Sequence, residues 1–291
     1  MRILHLDSGR EMRGGQWQVL SLHRGLIDDG YDSVLLAPES SPLLEAAGKD
    51  DLPRDVLRPL RLGLLSRQFD LVHAHDARSH TLAALFSRVP FVVSRRVSFP
   101  IRRSAASRWK YRRAGLFLAV SRHVGMQLRE AGVEESRIRV VYDGVAVPVE
   151  CARGDAVLVP YTLDPQKGMA LAQEAARRAG VSVEITGNLV EDLPRARALV
   201  YLTRSEGLGS GILLAMAHGV TVVASDTGGI PELIRDGENG ILVRNDSVEV
   251  ANAFARIDAA LGLAGRADVI ARFTEKQMIA ATLAAYEKVL S

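Results

Sequence analysis

The chain has 291 residues, 47% of them hydrophobic, which is enough to bury a large core and suits one large α/β domain or, as the better expectation, two smaller ones. A net charge of +3 names no partner, the single cysteine Cys151 excludes an intrachain disulfide, and no apolar run approaches the roughly 20 residues that span a bilayer. MRILHLDSGREMRGGQ carries no signal-peptide pattern, so a cytoplasmic protein is expected.

RILHLD is a short apolar strand, and GGQWQVLSLHRGLIDDG follows with Val19, Leu20, Leu22 and Leu26 at helical spacing before a glycine stop. This strand-loop-helix unit recurs through SVLLAP, DLVHAH with TLAALFSR, FVVSRR with a helix near SRWKYRR, LFLAVS with HVGMQLREAG, and IRVVYDG. Short buried strands alternating with helices predict a parallel sheet covered on both faces, a doubly wound domain over 1–150. Pro148 and a polar run break the pattern at VAVPVECARGD, the candidate linker, and Cys151 reads as a structural or linker residue.

The alternation restarts over 151–291: AVLVPY, helix KGMALAQEAARRAG, VSVEIT, ALVYLT, helix GILLAMAHG, VTVVAS, the turn DTGGIPELI, GILV and helix VEVANAFARIDAAL. A last helix, EKQMIAATLAAYEKVL at about 274–290, closes the chain and is a candidate to pack back on the first half. Two similar α/β halves predict an interdomain cleft between the carboxyl ends of two sheets, where such folds bind ligands.

Several stretches invite chemistry. SGREMRGGQ has Gly9 and Gly14 at P-loop separation, but Gly15 and Gln16 stand where Lys and Ser or Thr are required, and the GxGxxG spacing also fails. What remains is a glycine pair before a helix, suited to an anion or to a plain tight turn. No acid occurs from Ala77 to Arg129, while Arg95, Arg96, Arg102, Arg103, Arg108, Lys110, Arg112 and Arg113 fall close together. Such a patch attracts phosphates of nucleic acid, an anionic membrane or an acidic acceptor, unless it is a solvated face balanced elsewhere in space. Without a recognition motif and with few aromatics, no nucleic acid is expected. His73 and His75 share one face of a strand, no third ligand is apparent beside them, and no metal is expected. Asp76, at that strand's carboxyl end, either contacts acceptor or sugar or caps a loop.

The most specific segment is LTRSEGLGSGILLAMAHGVTVVASDTGGIPELIRDGENGILV. Glu206 ends a strand, and Gly207, Gly209 and Gly211 free the backbone before an apolar helix, whose N-terminal amides can bind a diphosphate while the carboxylate takes a sugar hydroxyl. TGGIPEL adds a glycine turn with Pro231 placed to start a helix.

EGLGSGILLAMAHG followed by VTVVASDTGGIPELIRDGENGILV resembles the nucleotide-sugar half of retaining GT-B glycosyltransferases of glycosyltransferase family 4. DPQKG resembles that family's lysine loop, SRRV and VVYDGV match segments of its N-terminal domain, and RGGQ its first glycine loop. The resemblance implies two Rossmann-like doubly wound domains, an acceptor-side one at 1–150 and a nucleotide-sugar-binding one at 151–291. It implies sugar transfer with retention and without metal or cofactor, from a nucleotide diphosphate sugar to a glycan, lipid-linked or phosphorylated acceptor in cell-envelope polysaccharide synthesis. Lys167 is then the charged donor to the leaving diphosphate, Glu206 lies near the transferred sugar, and Asp76 joins them as a catalytic candidate. Gly14, Gly15, Thr162, Gly207, Leu208, Gly209, Ser210, Gly211 and Leu214 fall on the donor side. His75, Arg95, Arg96, Arg102 and Arg103 fall on the acceptor side, where the arginines can also meet an anionic membrane at its inner face.

Three departures stand out. Leu214 occupies the position of the family's second glutamate, assigned to the ribose hydroxyls, and Thr162 that of a phosphate-binding arginine. Only GNLVEDLPRAR separates VSVEIT from ALVYLT, so the C-terminal domain is trimmed where a further strand and helix are usual. The alternative is therefore a degenerate, non-catalytic GT-B binding module or partner subunit.

Overall fold

The structure, a computed structural model, describes residues 1–101 and 104–291. It divides into two compact units, Met1–Asp143 with Glu275–Ser291, and Gly144–Thr274. The division thus falls before Pro148 rather than after Glu150, and the last helix joins the first unit. Within the second unit its two ends lie together: Val145 bridges Thr274 and its amide donates to the Phe273 carbonyl at 3.0 Å.

The first unit holds a seven-stranded parallel sheet: β1 (Arg2–Leu6), β2 (Asp32–Ala37), β3 (Arg54–Val56), β4 (Leu71–Ala74), β5 (Phe91–Arg95), β6 (Leu116–Ala119) and β7 (Ile138–Val140), in the order β3-β2-β1-β4-β5-β6-β7. β4 and β6 are buried at every residue, as strands covered on both faces must be. Ile3, Leu71, Val92 and Leu118 pack with Leu22 and Leu26 of the helix Gly14–Asp28 and with Met278, Ile279 and Tyr286 of the last helix, Glu275–Leu290. Helices Pro42–Lys49 and Pro59–Leu65 fill a stretch for which the sequence reading assigned no element.

The second unit holds a five-stranded parallel sheet: β8 (Ala156–Pro160), β9 (Glu184–Thr186), β10 (Ala196–Tyr201), β11 (Thr221–Ser225) and β12 (Ile241–Val243), in the order β12-β11-β10-β8-β9. Its core joins Val157, Val159, Val200, Leu202 and Val223 to Ala172, Ala176 and Val250 of the flanking helices. The expected single helix VEVANAFARIDAAL is two. Ser247–Ala253 runs into a tight turn at Phe254–Arg256, and Asp258 then caps Ala259–Arg272 by accepting the Ala260 amide. Aspartate favours a cap over a helix interior, and this one starts a new helix.

Candidate active site

The second unit collects its reactive groups at the carboxyl end of β10. The DPQKG loop forms a tight turn, with the Asp164 carboxylate accepting the Gln166 amide at 2.9 Å, and the Gln166 carbonyl accepts the Arg204 amide at 2.9 Å. This brings Lys167 Nζ to 2.7 Å from Glu206 Oε2 across 39 residues of sequence. Their side chains keep 35% and 15% of their exposure. Beside the pair lies a cavity of about 190 Å³ lined by Pro160, Tyr161, Thr162, Lys167, Tyr201 and Leu202.

Glycine is required behind Glu206. Gly228 has φ 59°, and a Cβ on it would lie 2.0 Å from the Glu206 carbonyl oxygen, which also accepts the Gly229 amide at 3.1 Å. The TGGIPEL turn therefore braces the backbone that presents Glu206. Of Gly207, Gly209 and Gly211, only Gly209 is left-handed, at φ 111°, and it starts the helix Ser210–Ala217.

The donor-side residues separate. Thr162 lines the cavity, with its Oγ1 accepting the Asp164 amide at 3.0 Å. Leu208 is 1% exposed, so its side chain belongs to the core. Leu214 is half-buried with no charged group to offer, and its carbonyl accepts from His218 Nδ1 at 2.9 Å. Gly14 and Gly15 open the helix Gly14–Asp28 in the first unit, and a Cβ on Gly15 would lie 3.9 Å from Arg96 Cδ.

The carboxyl edge of the first unit is a polar network. Asp76 accepts from Ser8 N and Oγ, both at 2.7 Å, from Arg78 N at 2.8 Å, and from Ser79 N at 3.0 Å and Oγ at 2.6 Å. Burial opposes ionisation of this carboxyl, but the Ser79 and Ser8 hydrogen bonds outweigh it and hold its pKa below the ordinary value. Of the two roles expected for Asp76, the structure shows the cap, at the start of the helix Ala77–Phe86. His75 is 6% exposed, with Nε2 2.9 Å from His5 Nδ1 and Nδ1 3.3 Å from Arg96 Nη1. Both its ring nitrogens are engaged within the protein. Arg96 ion-pairs with Asp143 at 2.9 Å, with 14% and 8% side-chain exposure, and Arg95 turns to the Phe99 carbonyl and the Tyr111 hydroxyl. Arg102 and Arg103 lie outside the described residues.

The fold supplies a third histidine that spacing did not reveal. β1 and β4 pair His5 with His73, and ring nitrogens of His5, His73 and His75 lie within 4.8 Å of one another. This removes the stated reason for setting metal aside. A cation there would nevertheless meet the Arg96 guanidinium, and His73 is already held by the Tyr286 hydroxyl at 2.6 Å and Ser94 Oγ at 2.8 Å. Burial lowers the pKa of all three imidazoles well below the usual value. Asp7, also missed, closes the first glycine loop through the Gly9 amide at 2.7 Å and Gln16 Nε2 at 3.2 Å. Its position at the end of RILHLD was the available signal.

Comparison with known proteins converges on one class. The model described as Glycosyltransferase Family 4 matches residues 12–147, and that described as Glycosyl transferases group 1 matches residues 136–258. The chain belongs to the family 4, group 1 glycosyltransferases. It is 34% identical over 200 residues to the alpha-maltose-1-phosphate synthase of Mycobacterium tuberculosis, covering 57% of this chain and 51% of that one. It is also 34% identical over 122 residues to the same organism's GDP-mannose-dependent alpha-(1-6)-phosphatidylinositol monomannoside mannosyltransferase, covering 35% of this chain and 32% of the other. The chain thus spans about half the length of the first of these relatives and less of the second. Among solved structures, Anabaena HepE in complex with UDP and glucose superposes with a TM-score of 0.85 at 16% identity over 99% of both chains. The sucrose-phosphate synthase of Thermosynechococcus elongatus gives 0.74 at 17% identity, again over 99% of both. These likenesses show the fold, a pair of Rossmann-like α/β units of the GT-B kind. No described helix is long and apolar enough to cross a membrane.

Proposed function

We propose that the chain is a glycosyltransferase that moves a sugar from a nucleotide diphosphate sugar to a glycan, lipid-linked or phosphorylated acceptor, with retention and without a metal. The observation that carries this reading is the Lys167–Glu206 pair beside the cavity, next to the start of the helix Ser210–Ala217. As the glycosidic bond breaks, negative charge grows on the leaving diphosphate. A lysine and helix-terminal amides beside the cavity can offset that charge and so lower the barrier. Lys167 serves the diphosphate and Glu206 a hydroxyl of the sugar. The UDP and glucose bound by HepE support such a donor, and the names of the two mycobacterial relatives support a phosphorylated or lipid-linked acceptor. That acceptor chemistry fits cell-envelope synthesis at the inner face of a membrane, with the exposed Arg108, Arg112 and Arg113 against anionic headgroups.

Calorimetry with UDP, GDP and ADP and their sugar conjugates, with and without Mg²⁺, tests the reading and identifies the donor. Lys167→Met is expected to lower kcat by about 10²- to 10³-fold, the loss seen when one charge-stabilising donor is removed. Unchanged turnover in that variant, or a folded protein that binds none of the nucleotides, would sink it. A second reading, a binding module without turnover, draws on Thr162 and Leu214, neither of which brings charge to the donor side. It requires that Glu206→Ala leave cellular activity intact.

A further inference from the structure

Tyr201 belongs to no motif, yet it meets Glu206, Lys167 and the first turn of the helix Ser210–Ala217. Its hydroxyl donates to Glu206 Oε2 at 2.9 Å, the same oxygen that accepts from Lys167 Nζ at 2.7 Å, while Oε1 accepts the Gly207 amide at 3.1 Å. Lys167 Nζ lies 5.9 Å from the centre of the tyrosine ring, and the ring lines the cavity. A Cβ on Gly211 would come within 3.2 Å of Tyr201 Cε2, so the ring packs closely against the first turn of the helix Ser210–Ala217.

From this arrangement we infer that Tyr201 is a positioning residue that holds Glu206 while Lys167 leaves it for the phosphates of a donor. The inference rests on the donor reading of the cavity. In the free protein Lys167 is neutralised by Glu206, and to serve a diphosphate it must turn away. Glu206 keeps only 15% of its side-chain exposure, so it gains little from water when the lysine departs. The tyrosine hydroxyl and the Gly207 amide are the donors it retains. Without the hydroxyl, the carboxylate depends more on Lys167 and holds it back from the phosphates. Burial, reinforced by the neighbouring Glu206 carboxylate, pushes the Tyr201 phenol well above the usual tyrosine range, so it remains a donor across any assay pH.

Tyr201→Phe tests this, because it removes the hydroxyl and keeps the ring against Gly211. We expect its melting temperature to stay close to wild type. The affinity for whichever of UDP, GDP and ADP the wild type binds should fall about tenfold, the scale of one hydrogen bond to a charged group. The discriminating measurement repeats the substitution in a Glu206→Ala background, where Tyr201 has no carboxylate to hold. Affinity should then change by less than about twofold. An equal loss in both backgrounds would mark a purely structural tyrosine and overturn the inference, as would wild-type affinity in Tyr201→Phe. Failure of the folded wild type to bind any of the three nucleotides would overturn the donor reading itself.

Discussion

The two units share one plan, a parallel sheet between helices, but keep their polar groups in different places. Six of the seven histidines, His5, His23, His73, His75, His80 and His123, lie in the first unit, and His218 alone in the second. The first four are fully or almost fully buried, tied to Ser33, Ser94, Tyr286 and one another under the helices Gly14–Asp28 and Glu275–Leu290. The second unit keeps its interior apolar and gathers polar groups at the strand ends. There Thr203 N donates to Ser225 Oγ at 2.9 Å, Asn245 Nδ2 to the Thr203 carbonyl at 2.9 Å, and Lys167 and Tyr201 to Glu206. A core that contains titratable groups responds to pH, whereas a rim set by tight turns responds to sterics.

The largest effect expected from this difference is on acid stability. Burial lowers His23 from 6.5 to about 4 and holds His5, His73 and His75 well below their ordinary value. Below pH 6.5 the unfolded chain binds protons at these imidazoles while the folded unit does not. The first unit is therefore most stable above pH 6.5 and loses stability as the pH falls. His23 alone accounts for about 3 kcal/mol by pH 4. Asp7, raised by burial and by the Asp76 charge, works in the opposite sense, whereas His80, lowered by burial to about 3, and Asp76, lowered by its hydrogen bonds, add to the loss. Both tryptophans, Trp17 and Trp109, lie in the first unit and the only cysteine, Cys151, in the second, so native fluorescence and a thiol dye report the units separately. Acid titration should move the tryptophan transition first. Coincident transitions down to pH 4 would break the contrast.

The converse experiment targets the rim. Gly228→Ala places a Cβ 2.0 Å from the Glu206 carbonyl oxygen at a left-handed φ of 59°. The strain and overpacking cost about 3 kcal/mol, local to the second unit. The dye on Cys151 should report a lower melting temperature and nucleotide affinity should fall, while the tryptophan transition stays in place. A tryptophan transition that shifts as far as the dye transition would mean that the two units do not melt independently.

What the sequence disclosed follows the same division. Repeating apolar strands and helical spacing were visible because strands covered on both faces are mainly apolar, whereas the order of the strands within each sheet was not. Lys167 and Glu206 were legible as loop and strand-end residues, since glycines mark the backbone that must bend around them. The pairings between them were not. That Tyr201 reaches Glu206, or that His5 completes a triad with His73 and His75, depends on sheet register and on which neighbour comes alongside, information spread over 70 residues in the second case. Asp76 and His75 were ambiguous for one reason: a polar residue at a strand's carboxyl end looks the same in sequence whether it faces a ligand or satisfies the protein's own amides.

The last helix offers the finest test of the contrast. Tyr286, fully buried, donates or accepts at His73 Nδ1 across 213 residues of sequence, and so keys the chain's final helix to the interior of the first unit. Tyr286→Phe preserves the ring and its edge-on packing against the imidazole while leaving one nitrogen of His73 without its partner. Leaving a buried polar atom unsatisfied costs about 1–3 kcal/mol, more than the loss of an exposed hydrogen bond and less than the acid effect. The tryptophan transition should shift downward and the Cys151 dye should not respond. Substituting His73→Phe in the same protein should then cost less than it does in the wild type, because the orphaned nitrogen is already gone. Strict additivity of the two substitutions would show that the helix is held by its apolar face alone, and that the buried histidines of the first unit stabilise it only through one another.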